Sequence, residues 1–417
     1  MRVPEGWAKM KIGDLCQPDS EPVSVTQDQT YKLMGVRWYG NGPHLHSEVS
    51  GAKLNTNTLN LVKKGQITYN KMWVSKSAFG VTSVEHHGMY ATAEYPTFTP
   101  RPGLCGDFLR HYMRLESFRV QALSRCRGTT SRARLNPKDF LDLEILLPPI
   151  SEQRRIAKAL TDADEAIEAT RAVIEQTLKV KRNMLKRLMS KGIGHSRFKR
   201  TEIGNVPAIW DVLPLPNLLR EPVRNGYSPV CPTEPTGRWI LSLGALTPDG
   251  FSAERVKPAP LDDVRLEGAT LEDGDVLISR SNTPERVGLA GLYQGIPAPC
   301  YYPDLMMRLR FDLNKMMPEF AVAWLSLLQS EGYFAEAASG TSASMVKINR
   351  STLSGVHFPV PSVSEQESLI QRLRQVESVG ALEMQKLASM ERLKSALLSD
   401  LLTGRKRVSA DALSAAL

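Results

Sequence analysis

Cysteine is scarce and scattered. Cys16, Cys105, Cys126, Cys231 and Cys300 form no C-x-x-C pair, which excludes a disulfide scaffold or a zinc ribbon and leaves five free thiols suited to a reducing cytoplasm. Long apolar runs are missing too. The best candidate, 320–328, has nine residues, about half of the roughly 18 that a membrane span needs. The opening MRVPEGWAKMK lacks the apolar core of a signal peptide, so the chain is expected to be cytoplasmic, with no membrane partner.

Catalytic signatures are equally thin. There is no G-x-x-x-x-G-K-[ST] loop to cradle a nucleotide's phosphates. An amino-methyltransferase needs Asn/Asp-Pro-Pro-aromatic around its target amine, but Asn136-Pro137 is followed by Lys138. A restriction-type nuclease needs Pro-Asp and then Glu/Asp-x-Lys to gather Mg²⁺. Pro248-Asp249 with Glu254 and Lys257 puts the lysine one place too far. His44, His46 and Glu48, or His86, His87 and Glu85, match no recognised ligand spacing. The expectation is a chain with no catalytic, cofactor-binding or metal-binding residues.

What is present is size, patterning and base. The 417 residues are 42% hydrophobic and 23% charged, the balance of a folded protein of two or three domains. Residues 1–202 hold 32 basic and 20 acidic side chains, and residues 203–417 hold 21 and 24. A basic surplus confined to one half suggests a polyanionic partner, nucleic acid first.

The chain is written twice. ILLPPISEQ at 145–153 returns as FPVPSVSEQ at 358–366, 213 positions later. GTTSRARLN (128–136) is echoed by GTSASMVKIN (340–349), and Pro4-x-x-Trp7 by Pro207-x-x-Trp210. Gly65 and Gly274 each mark a turn feeding a strand, and each copy then reaches an apolar helical stretch, near 108–123 and 320–337. After each Ser-Glu-Gln, alternate steps of four and three trace a seam. The first runs Ile156, Leu160, Ala163, Ile167, Thr170, Ile174, Thr177, Lys181, Met184, Leu188. The second runs Leu369, Leu373, Val376, Gly380, Glu383, Leu387, Met390, Lys394, Leu397, Leu401.

Both seams predict helices of about 39 residues, or roughly 58 Å. Ser151 and Ser364 are the expected N-caps, Ser364-x-x-Glu367 a capping box, and Gly192 and Gly404 the stops. Each stripe must be buried, and the nearest equal stripe is the other helix. Antiparallel pairing follows if a two-fold axis relates the copies. Packing back onto the globular parts is the open alternative.

Two places per copy could touch DNA. The loop after the glycine-turn strand carries Asn70, Lys71, Trp73 and Lys76 in copy one, and Arg280, Ser281, Asn282 and Arg286 in copy two. These are side chains that read base edges: Arg or Lys for guanine, Asn for adenine. The second place is the loop after the apolar helices, with Arg125, Arg127, Thr129, Thr130, Arg132 and Arg134, matched by Thr341, Ser342 and Lys347. Hydroxyls and guanidinium groups together suit phosphate.

The double pattern of a variable region, Ser-Glu-Gln and a long helix resembles the DNA-specificity subunits of type I restriction–modification systems over essentially the whole chain. The resemblance implies a mixed α/β (α+β) fold of two target recognition domains separated by two long helices paired as an antiparallel coiled coil, an internal repeat with pseudo-two-fold symmetry. The domains would be 1–150 and 207–362, the helices 151–192 and 363–404, the linker 193–206 and the tail 405–417. The implied partners are double-stranded DNA, two methyltransferase subunits and restriction/translocase subunits. S-adenosylmethionine, ATP and Mg are expected on those partners and no cofactor on this chain. A bipartite, non-palindromic site fits two unlike readers on one frame. A stand-alone DNA-binding regulator and a coiled-coil adaptor are the alternatives.

Overall fold

The computed structural model describes residues 3–128, 133–339 and 345–408. The chain divides into two units, Met1–Ala172 with Gln385–Leu417, and Val173–Met384. Each contains one globular region and a stretch of both long helices.

The duplication seen in the sequence is a duplication of topology. In the first unit Ala8–Lys11 pairs antiparallel with Glu144–Leu147; in the second Asp211–Pro214 pairs with His357–Val360. The strand after each Pro-x-x-Trp is thus bound to the strand that runs into a long helix. Each unit also carries a four-stranded sheet of one order. Cys16–Pro18, Thr97–Pro100, Ile67–Tyr69 and Phe79–Val81 correspond to Arg224–Asn225, Met306–Leu309, Val276–Ser279 and Ala290–Leu292. Gly65 and Gly274 precede the third strand with φ of +81° and +87°, a region glycine enters without a Cβ clash.

The apolar stretches are each two helices rather than one: Gly106–Tyr112 and Glu116–Ser124, then Pro318–Ser330 and Tyr333–Ala337. The second pair is interrupted at Gly332, which is left-handed at φ +85°.

The long helices run Ile150–Lys191 and Val363–Leu402, 42 and 40 residues. Ser151 and Ser364 lie inside them, correcting the expected caps. Pro149 accepts from the N–H groups of Glu152 and Gln153, and the Ser362 hydroxyl accepts from Glu365 N–H at 3.3 Å. Gly192 and Gly404 follow the helix ends with positive φ. No helix among the described residues is long and apolar enough to cross a membrane.

The seams are buried in two ways, so both packing expectations hold over part of the length. At their ends they enter the globular cores. Ile156, Leu160 and Leu401 join Phe108, Phe140 and Ile145 in the first unit; Leu188, Leu369 and Leu373 join Trp210, Phe320 and Phe358 in the second. Between those ends the helices pair antiparallel. In the first unit Asp164 meets Lys394, Thr170 meets Met390 and Arg171 meets Glu391. In the second, Lys181 meets Glu377 at 3.0 Å, and a Cβ at Gly380 would lie 3.6 Å from Thr177. Partner numbers fall as helix numbers rise, the signature of opposite directions. Glu377 stands 213 positions after Asp164, and Lys394 stands 213 after Lys181. One ion pair is therefore made twice.

Candidate nucleic-acid interface

Why Ser-Glu-Gln recurs is visible at the base of each long helix. Gln153, 1% exposed, accepts from Cys105 N–H and donates to the carbonyls of Gly103 and Pro148. Gln366, fully buried, accepts from Met317 N–H and donates to the carbonyls of Lys315 and Pro361. Each amide fastens helix to globular region by three bonds at 2.8–2.9 Å. The neighbouring glutamate takes the indole N–H of the Pro-x-x-Trp motif: Trp7 to Glu152 at 3.2 Å and Trp210 to Glu365 at 2.9 Å. A nitrogen side chain closes each joint, Arg407 on Glu152 at 2.8 Å and the His195 ring on Glu365 at 2.7 Å. These residues anchor the readers, and sequence reasoning gave them no such role.

The frame brings the two candidate loops of each copy together. In the first unit Arg127 and Arg134 exchange a pair of backbone hydrogen bonds at 2.9 Å, and Leu135 N–H donates to Lys71 O at 3.1 Å. In the second, Ser339 and Lys347 exchange the same pair, and Ile348 N–H donates to Arg280 O at 2.9 Å. Ser281–Asn282 also pairs with Val346–Lys347. The loop after the glycine-turn strand and the loop after the apolar helices therefore form one edge in each unit.

Along that edge the expected residues fare unequally. Asn70, 7% exposed, caps its own turn by accepting from Met72 N–H at 2.9 Å and Trp73 N–H at 3.3 Å. Asn282 accepts from Thr283 N–H and donates to the Ser279 hydroxyl, while Ser281 is 1% exposed. These three side chains point inward, a correction to their expected place at base edges. For the two asparagines the cause is local: a short amide at a turn satisfies backbone N–H groups that would otherwise be stranded.

Lys71 and Lys76 are half-buried, and Trp73 is exposed. Arg280 donates to Asp304 O at 3.3 Å, and Arg286 and Lys347 are exposed. Arg125 is exposed at the end of its helix. Arg127 and Arg134 are already ion-paired, to Asp139 at 2.8 Å and Glu94 at 2.9 Å. Thr129, Thr130, Arg132, Thr341 and Ser342 lie outside the described residues.

The sequence reading passed over Trp38 and Tyr39. Trp38 and Tyr39 are 44% and 65% exposed, beside Trp73 at 42%. The signal was available: an aromatic pair running into Gly40-Asn41-Gly42 sits on a turn, where it has little core to enter.

Two groups in the first unit, the buried His111 and the half-buried Asp164, are electrically tuned. Burial, with Arg110 and Arg114 alongside, pushes the His111 imidazolium down to about 3. Burial pushes the Asp164 carboxyl up, but Lys394 and Arg114 outweigh it and hold the group below the usual carboxylate range.

A family model, type I restriction modification DNA specificity domain, matches residues 4–179. The chain is 26% identical to the type I restriction enzyme MjaVIII specificity subunit of Methanocaldococcus jannaschii, over 98% of this chain and 95% of that protein. It is 22% identical to the EcoKI specificity subunit of Escherichia coli, over 90% and 83%. Among solved structures it resembles a chain from work on assembly and conformational transition of the type I R-M system, with a TM-score of 0.62, 18% identity and coverage of 96% and 99%. It also resembles the S subunit of M. genitalium, with a TM-score of 0.55, 14% identity and coverage of 96% and 98%.

Proposed function

We propose that the chain is a specificity subunit of a type I restriction–modification system, recognising a DNA target sequence, and that it reads a bipartite, asymmetric site, one half-site per unit. The observation that carries this reading is the repeated edge: the same two loops are joined by the same hydrogen bonds in both units, yet they bear different side chains. Equal frames with unequal surfaces suit unequal half-sites. The long helices act as the ruler that fixes the spacer between them.

The chain itself catalyses nothing in this reading. Methyl transfer, with S-adenosylmethionine, belongs to two methyltransferase subunits. ATP- and Mg-dependent translocation and cleavage belong to restriction subunits. This chain contributes base reading and register. Its unlike units set which strand of the duplex lies under which reader, and its phosphate contacts make affinity fall steeply with salt.

Binding-site selection with the full chain, followed by methylation sequencing of cells with and without it, tests the proposal. Two short unlike motifs at one fixed spacing, methylated only when the chain is present, are the expected result. A single motif bound without methylation would instead indicate a regulator, and absence of DNA affinity an adaptor.

A further inference from the structure

The first unit buries Tyr31, Tyr69, Phe79, Phe98, Phe108 and Phe140 almost completely, yet leaves Trp38, Tyr39 and Trp73 at the surface. Each large side chain left out forgoes part of the stabilisation that burial would give it. The rings are grouped. Trp38 and Trp73 lie 5.2 Å apart with planes tilted by 47°, and Tyr39 stands edge-on to Trp38 at 6.4 Å.

The group is held in place by backbone. Tyr39 N–H donates to Lys76 O at 2.6 Å and Gly40 N–H to Ser77 O at 2.9 Å, locking the two loops together. Arg114 donates to Gly40 O at 3.1 Å and pairs with Asp164 of the first long helix at 2.7 Å. Tyr39 and Ser77 are also the two non-glycine residues with positive φ, +58° and +51°, among the described residues. Both sit in these loops, and such conformations concentrate where a site demands them.

Charge identifies the occupant. The Lys76 ammonium lies 5.9 Å over the Trp38 ring, with Lys71 and Arg37 on the same two loops. Aromatic faces beside cations fit stacked bases flanked by phosphates better than the apolar face of a protein. A base sandwiched between two rings needs parallel planes roughly 7 Å apart, twice the 3.4 Å base stacking distance. The observed spacing and tilt are wrong for that, and right for a single wedge. Among the described residues of the second unit no tryptophan or tyrosine is exposed.

We propose that Trp38, Tyr39 and Trp73 form a wedge that enters one base step of the half-site read by the first unit. The inference rests on the proposed function and adds to it a kink and a step preference. Pyrimidine–purine steps open most cheaply, so the first unit's half-site carries one at the point of entry.

The test uses the full chain and the duplex recovered by selection, with 2-aminopurine placed at each purine of that half-site in turn. One position brightens on binding. The W38L/W73L double variant loses about ten- to a hundredfold in affinity, loses the brightening and keeps its salt slope; K76Q keeps the brightening and has a shallower slope. W73F, which retains an aromatic ring, restores most of the signal, and unchanged thermal midpoints show that all variants fold. Specific binding by the parent with no brightening at any position, or a double variant within twofold of the parent, overturns the wedge alone. Loss of a methyltransferase partner with DNA affinity retained overturns it in favour of a protein contact. A parent that selects no duplex overturns the proposed function, and the wedge with it.

Discussion

Gln153 and Gln366 each join three backbone groups at the root of a long helix. Alanine at either position strands a buried N–H and two carbonyls, and since each unmet group costs about 1–3 kcal/mol, Q153A or Q366A should destabilise its own unit by roughly 3 kcal/mol or more in urea titration. His111 makes a prediction in pH. Its native pKa, about 3, lies below the ordinary histidine value, so the unfolded chain gains a proton near 6.5 that the folded chain refuses. The stabilisation is complete above about pH 6.5 and drains away as pH falls toward 3. H111Q keeps a polar partner for the Thr161 hydroxyl, which lies 3.1 Å from His111 Nε2, and should flatten the acid limb of the urea midpoint between about pH 6.5 and 4.

At the scale of elements, the repeat, the glycine turns, the long helices and their seams were legible because each is a local pattern carried by consecutive residues. The joints were not. A tryptophan bonding a glutamate 145 positions away leaves no trace in a window of sequence, and a polar loop asparagine reads the same whether it faces solvent or its own backbone. Arg127 and Arg134 looked free for phosphate because Asp139 and Glu94 approach them only through the fold.

Two predictions belong here. Gly380 lies inside the second long helix, where it breaks the apolar seam, and a Cβ there meets Thr177 at an ordinary 3.6 Å. G380A should therefore stabilise its unit by about 0.5–1 kcal/mol, seen as a higher urea midpoint. Inserting four residues within both 165–180 and 378–393 lengthens the paired helices by roughly 6 Å. Site selection should then return the same half-sites with a spacer changed by about two base pairs; the original spacer would overturn the ruler.

Over the whole molecule, charge is divided unevenly between the units. The first holds 29 basic and 21 acidic residues, the second 24 and 23. The first unit is therefore expected to owe more of its DNA affinity to phosphate contacts than the second, and to show the steeper loss with salt. Replacing residues 1–147 with those of another family member should change one half-site and leave the other intact, as read by methylation sequencing.

The pairing of helices running in opposite directions also sets an order of assembly. The second unit is a continuous segment, Val173–Met384, whereas the first needs Gln385–Leu417 to finish a core begun at Trp7. During synthesis the core that holds Ile156 and Leu160 lacks Leu401 and Leu402 until the second long helix has been made. The unit with the larger positive charge is thus the last to be completed, and a chain lacking residues 378–417 is expected to lose stability in its first unit, whose core takes Leu401 and Leu402, rather than in its second.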